Sequence, residues 1–170
     1  MAIVKSLRGF TPQMGTNCFL ADNAVVVGDV TMGSNCTVWF NAVVRGDVNS
    51  ITIGDDTNIQ DGAVIHCTYQ KSKTVIGNKV SIGHTAVVHG CTIEDNVLIG
   101  MGAIVMDDAV VGKGSVVAAG AVVLAGTVIE PGVIYAGMPA KKVKDIGPEM
   151  TAVIERTAKN YPMYAEWFKE

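Results

Sequence analysis

The sequence predicts an all-β solenoid: short strands wound three to a coil into a triangular prism, followed by one C-terminal helix. Three observations predict it. A branched aliphatic recurs every six residues, a small or modest apolar residue stands two positions before each, and the pattern stops only after Ala140. From Ile99 the ladder runs through Val105, Val111, Val117, Val123 and Ile129, with Tyr135 on the same step. Upstream it gives Leu20, Val26, Met32, Val38 and Val44, then Ile53, Ile59 and Ile65, then Ile76, Ile82 and Val88. The step slips three times: nine residues from Val44 to Ile53, eleven from Ile65 to Ile76 and five from Val88 to Ile93. A period of six fits neither a 3.6-residue helix nor a simple strand alternation. It fits repeats that cannot bury their apolar face alone and must stack on their neighbours.

The elements follow in order. Residues 1–13 are expected to pair with or cover the first coil, and Gly137-Met138-Pro139-Ala140 to close the last, so 1–140 form the solenoid and 141–170 a helical segment packed on it. Pro148 suits a first helical position, and Met150, Val153, Ile154 and Thr157 follow at amphipathic spacing. Tyr161-Pro162 is expected to break or kink this helix, and Tyr164, Trp167 and Phe168 supply an apolar tail.

Composition narrows the function. With 170 residues, 49% hydrophobic and 17% charged, the chain is one domain with a real core and too apolar for disorder. A formal charge of −3 and a pI near 5.6 argue against a nucleic-acid partner. The longest uncharged apolar stretch, Val116 to Ile129, falls short of the roughly 18 residues a membrane span needs. Lys5 and Arg8 are not followed by the apolar core of a targeting peptide, so a cytoplasmic protein is expected. Cys18, Cys36, Cys67 and Cys91 lack C-x-x-C spacing, and the first, second and fourth fall in inward small-residue slots.

The register makes the three histidines informative. His66 follows Ile65 and His89 follows Val88, both third in their coils, so the two stack on one outer face about 4.8 Å apart. His84 stands two residues after Ile82, near a corner on another side, and can join them only from a neighbouring subunit. The column through the pair reads Val27, Arg45, His66, His89, Met106 and Leu124, and the His84 column reads Phe40, Asp61, His84, Met101 and Ala119. Apolar ends with a polar middle imply a partner surface, and two unlike faces of a prism meeting head-to-tail close into a homotrimer. Three imidazoles suit Zn2+ or Fe2+. Cys67 beside His66 is a weaker alternative ligand.

Arg45-Gly46-Asp47, Asn58-Ile59-Gln60-Asp61-Gly62, Val64-Ile65-His66, Ser81-Ile82-Gly83-His84 and Val88-His89-Gly90 together resemble the gamma-class carbonic anhydrase family. The likeness runs through Ile99-Gly100-Met101-Gly102-Ala103 to the terminal helix. It implies a left-handed parallel β-helix of hexapeptide repeats, assembled as a homotrimer with zinc or iron between subunits. His66 and His89 of one chain and His84 of the next would be ligands. Gln60 would hydrogen-bond the metal-bound water. Arg45, paired with Asp61, would orient the interface and bicarbonate, and Asp47 would support it. The implied activity is reversible hydration of carbon dioxide to bicarbonate, zinc bringing the pKa of its water toward about 7. The sequence departs from the family archetype at Val48, where a glutamate is usual, and in the segment Cys67–Lys73, which is short and holds no carboxylate for a proton relay. Two other readings stay open. One is a coenzyme-A-dependent acyltransferase or thioesterase, since Ala136-Gly137-Met138-Pro139-Ala140-Lys141 is also typical of hexapeptide transferases; the other is a non-catalytic metal- or bicarbonate-binding scaffold.

Overall fold

Each corner of the prism sends the chain through a sharp turn, and that requirement selects its residues. Most turns contain one residue at positive φ, usually Asn, Asp or Gly, as at Asn35 (φ 57°), Asn96 (φ 56°) and Gly120 (φ 66°); these types lose least there. Between corners lie strands of two or three residues, such as Asn58–Ile59, Val64–His66 and Thr74–Ile76. The structure is a computed structural model that describes residues 1–168, and it stacks these strands into a parallel β-solenoid of about seven turns.

Pairing is in register on all three walls. One wall aligns Val43, Val64, Val87, Ile104 and Val122. The second aligns Thr52, Val75, Thr92, Val110 and Val128, and the third Thr37, Asn58, Ser81, Leu98 and Val116. The first two walls belong to one sheet because strands Val25–Met32 and Val43–Ile53 run through the corner between them. Their register shifts between Gly28 and Val30, and this is the nine-residue step of the ladder. Glycine is required at the crossing: a Cβ on Gly46 would lie 2.4 Å from the Asp29 carbonyl oxygen.

The ladder is the core. Val26, Val44, Ile59, Ile65, Ile82, Val88 and Ile99 are each at most 1% exposed, each burial contributing about 1.5–3 kcal/mol before entropy is charged against it. Ala24, Ala42, Ala63, Ala86, Ala103 and Ala121 line one inner corner, all fully buried, because no larger side chain fits between converging walls.

Both ends are covered. Ile3–Lys5 and Gln13–Met14 pair in parallel with Val25–Met32, extending two walls as the N-terminal expectation requires. At the other end Val122 donates to the Gly137 carbonyl and Ala140 donates to that of Val122, so the 137–140 segment closes its wall. The next five residues differ from the helical segment expected: Lys141–Asp145 is a strand antiparallel to Val133–Ala136. Its backbone satisfies groups that the last coil would leave open, and its lysines blunt the new edge.

The helix spans Pro148–Glu166 with Pro148 in its first turn. Its buried residues Ile154, Ala158 and Ala165 face the wall of strands Thr37–Val38, Asn58–Ile59 and Ser81–Ile82. Pro162 lies inside it without ending it. Only one turn follows the proline, and aromatic packing holds that turn: Tyr161 meets Trp39 edge-on at 5.4 Å, and Phe168 lies 5.6 Å from Trp39 and 5.7 Å from Phe40. Lys169 and Glu170 of the expected segment lie outside the described residues. No described helix is long and apolar enough to cross a membrane.

Candidate metal centre

Strand alternation decides which side chains leave the core. Ile65 and Val88 point inward, so His66 and His89, Cα partners across neighbouring coils, stand on the outer wall, 16% and 32% exposed. Their rings converge: His66 Nδ1 lies 3.1 Å from His89 Nε2. Each remaining nitrogen meets a carboxylate at 2.8 Å, His66 Nε2 at Asp47 Oδ1 and His89 Nδ1 at Asp107 Oδ1. Asp47 also pairs with the Arg45 guanidinium. Burial raises the Asp47 carboxyl, but the bonds from His66 and Arg45 outweigh it and hold the group below the ordinary range. Asp107 behaves alike: burial raises it, and bonds from Thr68, His89 and Ser72 hold it lower.

These contacts test the pair as a cation site. An ionised carboxylate can only accept, so each takes its imidazole N–H and leaves the two facing nitrogens with bare lone pairs. Two such lone pairs at 3.1 Å repel unless a proton or metal ion lies between them. A tetrahedral zinc with Zn–N of 2.0–2.1 Å spaces its nitrogens by roughly 3.3 Å, and a carboxylate behind each ring is the usual support for a ligating histidine. The residues therefore fit a divalent metal. Within one chain the set stops short: no group of three His, Cys, Asp or Glu side chains among the described residues could hold an ion.

His84 stands apart, as its register requires. It sits in the turn after strand Ser81–Ile82, with Nδ1 2.9 Å from Asp61 Oδ2 and both side chains over 40% exposed. Its Nε2 lies 3.5 Å from the Tyr161 hydroxyl on the helix. The next residue, Thr85, holds φ 59°, a region that costs a β-branched residue about 1–3 kcal/mol; its hydroxyl donates to the His84 carbonyl at 2.7 Å. Gln60 is buried beside Asp61, and its amide donates to Asn58 at 3.0 Å. The ladder thus groups Gln60, Asp61 and His84 at one corner and Arg45, Asp47, His66 and His89 on one wall. Arg45 and Asp61, expected as a pair, have other partners within this chain.

Cys67 leaves the ligand candidates: its side chain points inward, is fully buried and donates to the Asn49 carbonyl at 3.4 Å. Sequence reasoning missed Asp107, Thr68, Ser72, Arg8 and Tyr161. Arg8 donates to the Asp47 carbonyl at 3.3 Å and lies over the Tyr69 ring. For Asp107 one signal was available, since it sits one coil beyond Gly90, the glycine that directly follows His89.

Residues 11–46 and 90–125 match the family model for the bacterial transferase hexapeptide (six repeats). The chain is 37% identical over 165 residues to protein YrdA of Escherichia coli, covering 94% of this chain and 90% of that one. It is 41% identical over 156 residues to gamma carbonic anhydrase 2, mitochondrial, of Arabidopsis thaliana, covering 89% of this chain and 56% of the longer plant protein. The chain is a gamma carbonic anhydrase-like member of the hexapeptide-repeat proteins. A solved structure from Bacillus cereus, described as a candidate acetyltransferase, superposes with a TM-score of 0.95 at 33% identity, covering 98% of this chain and 96% of that one. Gamma carbonic anhydrase-like membership and a transferase-like neighbour thus stand together, and the site must separate them.

Proposed function

We propose that this chain is a gamma-type carbonic anhydrase-like metalloenzyme that interconverts carbon dioxide and bicarbonate at a site shared between subunits of a homotrimer. The observation that carries the reading is the convergence of His66 Nδ1 and His89 Nε2 at 3.1 Å, each ring backed by a carboxylate. His66 and His89 of one subunit and His84 of its neighbour would hold Zn2+ or Fe2+. Bound there, such an ion would supply Lewis acidity that lowers the pKa of water toward about 7 and makes hydroxide available at neutral pH.

The chain's own residues do the rest. Asp47 and Asp107 orient the two imidazoles. Arg45, 45% exposed and anchored by Asp47, presents a guanidinium to the bicarbonate anion. Gln60 and Asp61 arrive with His84, where the Gln60 amide can hydrogen-bond the reacting oxygen. Exposed Met106 and Leu124 continue the His66/His89 column and exposed Met101 the His84 column, an apolar stripe that a second subunit would cover. Replacing His84 with Ala should abolish metal binding. Mixed trimers of His84→Ala and His66→Ala chains should regain part of it, because each mixed interface of the right sense holds a complete set.

The test is metal content of the freshly isolated protein together with its mass in solution and stopped-flow hydration of carbon dioxide. A trimer with metal and hydration activity supports the reading. The likeness to the Bacillus cereus structure favours a second one, coenzyme-A-dependent acyl transfer or thioester cleavage. Metal-free trimers that turn over acyl-coenzyme A would establish it instead, and metal with no turnover would leave a binding scaffold.

A further inference from the structure

We infer that Asp107 is a positioning residue that fixes the ring of His89 for metal binding and fastens the 67–73 loop to it; the inference rests on the reading that His66 and His89 hold the ion. Its carboxylate takes three hydrogen bonds: His89 Nδ1 at 2.8 Å, the Thr68 hydroxyl at 2.7 Å and the Ser72 hydroxyl at 2.9 Å. Thr68 N–H in turn donates to the Ser72 hydroxyl at 3.0 Å, closing a ring around the loop. Asp107 is one coil away from His89, and Thr68 and Ser72 come from the coil on the other side. One carboxylate therefore joins three successive coils at the imidazole.

The backbone beneath makes room for this. Gly90, at φ +58°, lies under the junction, and a Cβ there would sit 1.9 Å from Asp107 Oδ1 and 2.1 Å from Ser72 Oγ. Its N–H donates to the His66 carbonyl at 3.0 Å and to Thr74 Oγ1 at 2.9 Å, while the Thr74 hydroxyl donates to that same carbonyl at 2.6 Å. Both histidines are thus tied to one hydrogen-bonded unit. By accepting the Nδ1 proton, Asp107 selects the tautomer whose free lone pair, on Nε2, faces His66. Without it the ring can turn or carry its proton on Nε2, and the pair no longer presents two lone pairs to an ion.

The test uses the full chain, with Zn2+ and Co2+ affinity measured by chelator competition. Asp107→Ala should weaken binding by roughly 10- to 100-fold. Asp107→Asn, which keeps an acceptor for Nδ1–H but no charge, should fall at the lower end of that range and guards against a folding failure of the alanine variant. A Thr68→Val/Ser72→Ala double variant loosens the loop and leaves the His89–Asp107 bond, so it should stay within about threefold of the parent. A separate arm reads the metal-free protein by nitrogen-15 NMR: His89 should carry its proton on Nδ1 in the parent and shift toward Nε2–H in Asp107→Ala. Unchanged affinity in Asp107→Ala, a double variant as impaired as Asp107→Ala, or an Nε2–H tautomer in the parent would overturn the inference. A parent chain that binds no metal at all would instead sink the shared-metal reading, and the tautomer arm would still decide Asp107.

Discussion

The coils that carry the histidines and the coils that follow them are built on the same six-residue ladder, yet only the first set departs from it. From Ile99 to Ile129 every step is regular, and outward positions hold Ile104, Met106 and Leu124. Between Val44 and Ile93 the step slips three times, and the slips bring polar groups to the wall. The first carries Arg45 and Asp47 past the Gly28–Gly46 crossing. The second folds Thr68 and Ser72 back over Gly90. The regular part supplies rigidity and the irregular part places chemistry on it, as a loop on a scaffold would.

The sharpest way to break this comparison is to remove a histidine from the irregular coils. His84→Ala should eliminate metal while leaving the unfolding midpoint near that of the metal-free parent, measured by metal analysis and thermal melting. If the variant unfolds, the irregular coils are structural and the division of labour is wrong. The complementary substitution lies in the regular coils. Ile99→Ala removes a fully buried ladder residue and should cost about 2–5 kcal/mol in urea unfolding at fixed protein concentration, with metal stoichiometry unchanged.

A third substitution falls on the boundary between backbone and site. Gly90→Ala meets both a positive φ and two oxygens within 2.1 Å. It should lower metal affinity by roughly the 10- to 100-fold expected of a lost supporting contact, with a stability loss of about 1–3 kcal/mol from the backbone alone. An alanine variant with parental metal affinity would mean that Asp107 Oδ1 can be displaced without disturbing its bond to His89.

How much of this was legible follows the same division. The ladder could be read because one inward side chain repeats at a fixed step, and the stacking of His66 on His89 follows from that register. Pro148 marked the helix start. The register places Asp107 one coil beyond Gly90 but not its role, because its partners Thr68 and Ser72 lie 39 and 35 positions away in sequence and meet it only through the eleven-residue slip. Pro162 does not break the helix, because the aromatic packing of Tyr161 and Phe168 on Trp39, which propensity ignores, holds its last turn. The strand Lys141–Asp145 was hidden because its charged sequence shows no ladder, and an open backbone edge, not burial, is what places it.

That strand gives the smallest expected effect, and the sign of its pH dependence distinguishes it from the site. Lys142 Nζ lies 3.0 Å from Glu130 Oε1 and 2.8 Å from Asp145 Oδ1, and the Tyr135 hydroxyl donates to Glu130 Oε2 at 3.2 Å. The backbone N–H of Glu130, followed by Lys142, holds this carboxyl below the ordinary glutamate value of 4.5. A folded-state pKa below the unfolded one contributes stability that is present above 4.5 and lost as pH falls through the folded value. Glu130→Gln should therefore lower the melting temperature slightly at pH 7, and the difference should shrink as the pH falls below 4.5. Such exposed pairs are screened by salt, so the pH 7 difference should also shrink in molar sodium chloride. A difference that persists at low pH and high salt would mean that Glu130 packs the last coil rather than pairing its charge, and that the regular coils hold their capping strand without electrostatics.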